Sequence, residues 1–161
     1  MERQTSSRSD SNFEPARRQV QKTSSERNHI VLNKQRKHSI DIGGVRRFLA
    51  ELTLNQGKHA MSLSVVFITD QAMRIYNSKY RGFDKSTDVL SFRGEGDYLG
   101  DILISAETAF QQSRRSPTLT FDSNIRRLVL HGFLHLAGYD HEADNGEMRV
   151  LERRLRRQFQ C

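Results

Sequence analysis

Residues 121 to 141 read FDSNIRRLVLHGFLHLAGYDH, and the fold is decided by how this stretch is arranged. Ile125, Leu128, Val129, Gly132 and Leu136 recur at spacings that share one face of a helix running from about Phe121 to Ala137. Ser116-Pro117 punctuates the chain before it, and Gly138 can adopt the left-handed conformation that ends a helix. His131 and His135 stand four residues apart on the same predicted helix. Such a pair is rotated by only about 40° and separated by about 6 Å along the axis, so both imidazoles can address one ion. A turn at Gly138 lets His141 approach that ion from another side. Three neutral imidazoles leave a coordination position for water, the arrangement of a catalytic rather than a closed structural zinc site. The remaining histidines, His29, His38 and His59, lack this context and read as surface residues.

Working outward from that helix, Asp88 to Phe92 (DVLSF) and Leu99 to Ser105 (LGDILIS) are short apolar runs separated by a glycine-containing loop. So short a connection favours an antiparallel pair. Ser62 to Thr69 (SLSVVFIT) is rich in β-branched residues and alternates Leu63, Val65 and Phe67, which reads as a strand. Thr69 or Asp70 caps a helix reaching about Tyr80. His29 to Asn33 forms a short strand, Ile40 to Leu54 a helix, and Ala106 to Arg114 another. The last helix, about Asp144 to Phe159, buries Met148, Leu151 and Leu155 and carries Arg149, Arg153, Arg156 and Arg157 on its other face. The helical crossovers are long enough to join parallel strands. An α+β domain with a mixed sheet of about four strands covered by helices follows.

At 161 residues the chain holds one such domain. Residues 1 to 27 contain only Phe13 and Val20 as large hydrophobes and read as a disordered basic and polar tail, leaving residues 28 to 161 for the domain. No apolar run approaches the roughly 20 residues of a membrane span. The only cysteine is Cys161, so neither an intramolecular disulfide nor a cysteine-rich zinc site can form. Glu2, Asp10, Glu14 and Glu26 interrupt the Arg/Ser-rich N-terminus and argue against a transit peptide. These features favour a reducing compartment, the cytoplasm. The formal net charge is +7, mostly beyond residue 27, which favours a polyanionic partner. Arg114, Arg115, Arg126, Arg127 and the arginines of the last helix are candidates for phosphate contact.

The spacing H-x-x-x-H-x-x-G-x-x-H is similar to that of the metzincin proteases, H-E-x-x-H-x-x-G-x-x-H. Gly132 stands where those proteases place the glutamate that activates water, so peptide hydrolysis lacks its usual base. Met148 lies on a predicted helix and reads as core rather than as a methionine turn.

HGFLHLAGYDH at 131 to 141, YRGFDKSTDVLSF at 80 to 92 and LGDILIS at 99 to 105 together resemble the YbeY family of bacterial ribosomal-RNA maturation endoribonucleases, from about Asn28 to the C-terminus. The resemblance implies a zincin-like fold, with one zinc ion per chain held at His131, His135 and His141. It also implies cleavage of single-stranded RNA, maturation of the 3′ end of small-subunit ribosomal RNA, and a part in ribosome quality control. The small ribosomal subunit and its assembly factors are the implied partners, with neither DNA nor membrane among them. The family's functional arginine falls on Arg81, where a guanidinium can bind a phosphate bidentately and stabilise charge building on its oxygens. The sequence departs from the family pattern in three places: Arg93 stands where proline usually follows the SF pair, with a short glycine-rich loop after it, the N-terminal tail is longer than the family needs, and Ser105 stands where many members have cysteine.

Two other classes compete with this reading. A zinc peptidase would share the metal ligands, and a noncatalytic ribosome-assembly factor with structural zinc would need a fourth protein ligand. Asp140 adjoins His141 and is a candidate for a general acid or base, or for orienting a ligand imidazole. Asp101 either lines the site or ends its strand.

Overall fold

The computed structural model describes residues 29–161. The tail expected over residues 1 to 27 lies outside the described residues. In chain order the elements are β1 (Ile30–Asn33), α1 (Ile42–Asn55), β2 (Ser62–Ile68), α2 (Asp70–Arg81), β3 (Val89–Arg93), β4 (Tyr98–Ser105), α3 (Ala106–Arg114), α4 (Phe121–Leu136) and α5 (Glu147–Gln158). The sheet has four strands in the order β1-β2-β4-β3. β1 pairs parallel with β2 and β2 parallel with β4, whereas β3 and β4 are antiparallel, as their short connection requires.

Alternation along the strands divides the interior in two. Leu63, Val65 and Phe67 of β2 and Ile102 and Ile104 of β4 join buried residues of α1, α4 and α5 in the main core. Val66, Ile68, Leu90 and Leu103 form a smaller cluster with Met73 of α2. Helices α1, α4 and α5 therefore cover one face of the sheet and α2 the other.

Side-chain caps set where helices begin. Asp41, Thr69, Ser105 and Thr120 each accept a hydrogen bond from a backbone N–H in the first turn of α1, α2, α3 and α4 respectively. α2 ends at Gly82, whose φ of 75° is left-handed. The last helix starts at Glu147 rather than near Asp144, because Gly146 has a φ of 94° and the Asp144 carboxylate accepts from the N–H groups of Gly146 and Met148. Met148 is fully buried, in the core role expected of it.

Two histidines expected at the surface are tied into the domain. The His38 ring stacks on Phe110 at 4.5 Å, and His29 Nε2 lies 3.3 Å from Thr53 Oγ1, with its pKa lowered by burial. His59 is exposed, as expected.

Candidate metal centre

α4 carries His131 and His135 at its C-terminal end, half-buried, on the side facing α5 and the loop that follows α4. Gly138, with a φ of 106°, turns the chain back after the helix and brings His141 over them. One ligand atom from each histidine lies within 4.8 Å of the others. The ring centroids are 4.7 Å apart for His131 and His135, 5.5 Å for His131 and His141, and 5.1 Å for His135 and His141. The convergence expected of His131, His135 and His141 is present.

The donor atoms fit a metal ion. His131 Nε2 and His135 Nε2 are 3.1 Å apart. Two nitrogens bound at about 2.0–2.1 Å to a tetrahedral ion are separated by about 3.3 Å, so the observed spacing suits a shared cation. The opposite ring nitrogens face acceptors: His135 Nδ1 lies 3.1 Å from the Tyr139 carbonyl oxygen, and His131 Nδ1 lies 3.3 Å from Glu152 Oε1. Burial, with the neighbouring His131 and His141, lowers the His135 pKa and favours the neutral ring that a metal needs. Burial pushes the Glu152 carboxyl up, but the His131 hydrogen bond and the Arg156 charge outweigh it and hold the group below its usual range.

The two nearby acids that sequence reading left as candidates are placed differently. Asp140 Oδ1 accepts from the Glu142 N–H at 3.0 Å. Asp101 is mid-strand in β4, buried, and accepts hydrogen bonds from the hydroxyls of Ser64 and Tyr98. It alternates with Ile102, which packs in the core beside α4, so Asp101 faces the α2 side of the sheet. Cys161 is a free, buried thiol in the main core, and the metal-capable group among the described residues consists of the three histidines alone.

Gly132 explains why the peptidase glutamate has no counterpart. A Cβ at this position would lie 2.7 Å from Ile102 Cγ2 and 3.0 Å from Ser91 Oγ. The helix thus touches the sheet directly beneath the first histidine, and any side chain there would have to displace the core.

Arg81 ends α2 on the other face of the sheet, exposed, with its guanidinium carbon 5.9 Å from the Phe83 ring centre. The structure does not place it in contact with the histidines. The two regions meet around the edge strand β3. Tyr80 packs against Phe92 at 4.9 Å between ring centres, and the next residue, Arg93, donates from Nε to the His135 carbonyl at 3.2 Å. The arginine at the usual proline position therefore ties the sheet edge to the end of α4.

The basic surface is divided. Arg114, Arg115, Arg126, Arg149, Arg153 and Arg157 are exposed, but Arg156 is partly buried and engaged with Glu152 at 2.7 Å.

An α+β domain whose three neighbouring histidines could together hold one metal ion has the make-up of a metal-dependent hydrolase. The family model described as Endoribonuclease YbeY matches residues 24–160, so the chain belongs to that family of endoribonucleases. It is 36% identical over 138 residues to the Endoribonuclease YbeY of Geobacter sulfurreducens, covering 80% of this chain and 91% of the relative. It is 42% identical over 123 residues to that of Aquifex aeolicus, covering 73% and 81% respectively. The solution structure of a Thermotoga maritima protein superposes with a TM-score of 0.58 at 27% identity, covering 78% of this chain and 85% of that one. No helix among the described residues is long and apolar enough to cross a membrane.

Proposed function

We propose that this protein is a cytoplasmic, zinc-dependent endoribonuclease that cuts single-stranded RNA during maturation of the 3′ end of small-subunit ribosomal RNA. The observation that carries the reading is the convergence of His131, His135 and His141 within 4.8 Å in a member of an endoribonuclease family. In this reading the three imidazoles hold one zinc ion per chain. A zinc ion bound there supplies Lewis acidity and a water-derived nucleophile at neutral pH.

The chain's own residues account for the remaining requirements. Burial lowers the His135 pKa and so favours the neutral ring that a ligand needs. Arg81, exposed at the end of α2, binds a phosphate oxygen of the RNA and offsets the charge that builds during displacement. Exposed arginines on α4 and α5 attract the RNA backbone through phosphates rather than bases, so binding weakens steeply as salt rises. The small ribosomal subunit and its assembly factors are the setting in which such a substrate is met.

One gel tests the reading. Purified protein is incubated with labelled single-stranded ribosomal RNA precursor, with and without chelator, beside His135→Ala and Arg81→Ala. Cleavage by the unaltered protein, lost with chelator and in both variants, is expected. Equal cutting by His135→Ala refutes the metal site, and full activity of Arg81→Ala refutes the phosphate clamp alone.

A further inference from the structure

The half-buried face of α5 contributes a carboxylate that the metal ligands do not explain. Glu152 lies 21 residues beyond His131, with its side chain 13% exposed. Its Oε1 stands 3.3 Å from His131 Nδ1 and 2.7 Å from Arg156 Nη2. A carboxylate this enclosed carries a desolvation penalty, offset here by two partners, one of them a candidate metal ligand.

The two α4 histidines are thereby treated alike. The Tyr139 carbonyl can only accept a hydrogen bond, so His135 must carry its proton on Nδ1 to satisfy it, leaving a bare lone pair on Nε2. The Glu152 carboxylate demands the same of His131. With a cation at the point they share, both Nε2 atoms can then present lone pairs to it; without one, their 3.1 Å spacing is that of a hydrogen bond in which one Nε2 carries a proton. With nothing at Nδ1, a neutral imidazole would divide its proton between the two nitrogens, and one tautomer would block the metal.

We infer that Glu152 is a positioning residue for the metal centre: it fixes His131 in the Nδ1–H tautomer and sets its ring angle, while Arg156 holds the carboxylate in place. This rests on the reading of His131, His135 and His141 as metal ligands. Carboxylate partners of this kind orient the ring and raise the basicity of the ligating nitrogen. The arrangement gives the last helix a part in the site, through a residue that touches neither metal nor substrate. It also removes Arg156 from the set of arginines free to meet RNA.

The test uses the full chain and zinc, with affinity measured by competition against a chromophoric chelator. Wild type is expected to bind one zinc ion. Glu152→Gln, which keeps the side-chain volume, is expected to bind about 10- to 100-fold more weakly. Glu152→Asp, which keeps the charge but withdraws it by one methylene, is expected to recover part of that loss. Nitrogen-15 NMR of the imidazoles in the metal-free wild type gives a readout independent of any substitution: His131 is expected to carry a proton on Nδ1, facing Glu152, and to lose part of that population in Glu152→Gln. Wild-type zinc affinity in Glu152→Gln, or a His131 without a proton on Nδ1 in the unaltered protein, overturns the role of Glu152 and leaves the metal site standing. Failure of the wild type to bind zinc overturns both.

Discussion

The two sides of the proposed active site are built in opposite ways. On the histidine side, position is imposed by packing: α4 lies so close to the sheet that a Cβ at 132 would crowd Ile102, and the Nδ1 atoms of His131 and His135 both face acceptors. On the arginine side, Arg81 stands in solvent at a helix end, followed by the exposed residues Gly82 to Lys85. The loop is held by an exposed Arg74–Asp84 ion pair at 2.7 Å and by the buried Asn77 donating to the Lys85 carbonyl at 2.7 Å. A metal site needs its donors preset to within a fraction of an ångström, whereas a guanidinium meeting a flexible polyanion gains from reach. In the proposed reading metal affinity belongs to one side and RNA contact to the other, and substitutions on the two sides should separate them.

The largest effect is expected from His135→Ala. Removing one of three ligands should reduce zinc binding below detection by chelator competition and bring RNA cleavage to the no-enzyme background. Next comes Arg81→Ala. By the scale of a lost transition-state donor, cleavage should fall by about 10²- to 10³-fold with zinc affinity and melting temperature unchanged. Parallel loss of metal in that variant would abolish the division between the two sides.

A smaller effect, on stability alone, is expected at the helix–sheet contact. Gly132→Ala adds a methyl that meets Ile102 at 2.7 Å. Overpacking costs about 1–3 kcal/mol, against a helix-propensity gain of about 1 kcal/mol. Urea unfolding should therefore show a net loss, and a more stable variant would mean that α4 can lift from the sheet without penalty.

The smallest effect concerns the frame that starts α2. Burial pushes the Asp70 carboxyl up, but hydroxyl donors Ser105, Thr108 and Ser86 outweigh it and lower the pKa. The Lys37 hydrogen bond and the Asp70 backbone N–H lower that of Glu107. A folded pKa below the unfolded value gives stabilisation that is full above the unfolded carboxylate range and lost as pH falls through the folded value. Urea midpoints should accordingly drop on acidification below about pH 4, and Asp70→Asn should flatten that limb. An unchanged acid limb in the variant would deny Asp70 this contribution.

Much of this architecture was legible in residue order. Ala106–Arg114 forms the expected helix, and the strands read from DVLSF and LGDILIS pair antiparallel. The histidine spacing was readable because the helix repeat and one glycine turn place all three ligands within eleven residues. Glu152 was not, because its meeting with His131 depends on how α5 docks against α4, which no local pattern encodes. Asp140 was the nearer candidate in sequence, and one of its carboxylate oxygens accepts the Glu142 N–H in the turn. His38 was read as a surface residue because its aromatic partners, Phe110 and Phe121, come from α3 and α4 rather than from neighbouring residues. The start of α5 was misplaced for a related reason: Asp144 acts as an anchor for the turn, and Gly146 delays the helix.

X-ray absorption on the zinc-loaded full-length protein tests the central claim most directly. The account predicts one zinc per chain with three imidazole nitrogens at about 2.0–2.1 Å and a fourth, non-protein oxygen ligand. A fourth protein ligand, or a zinc bound away from His131, His135 and His141, would contradict it.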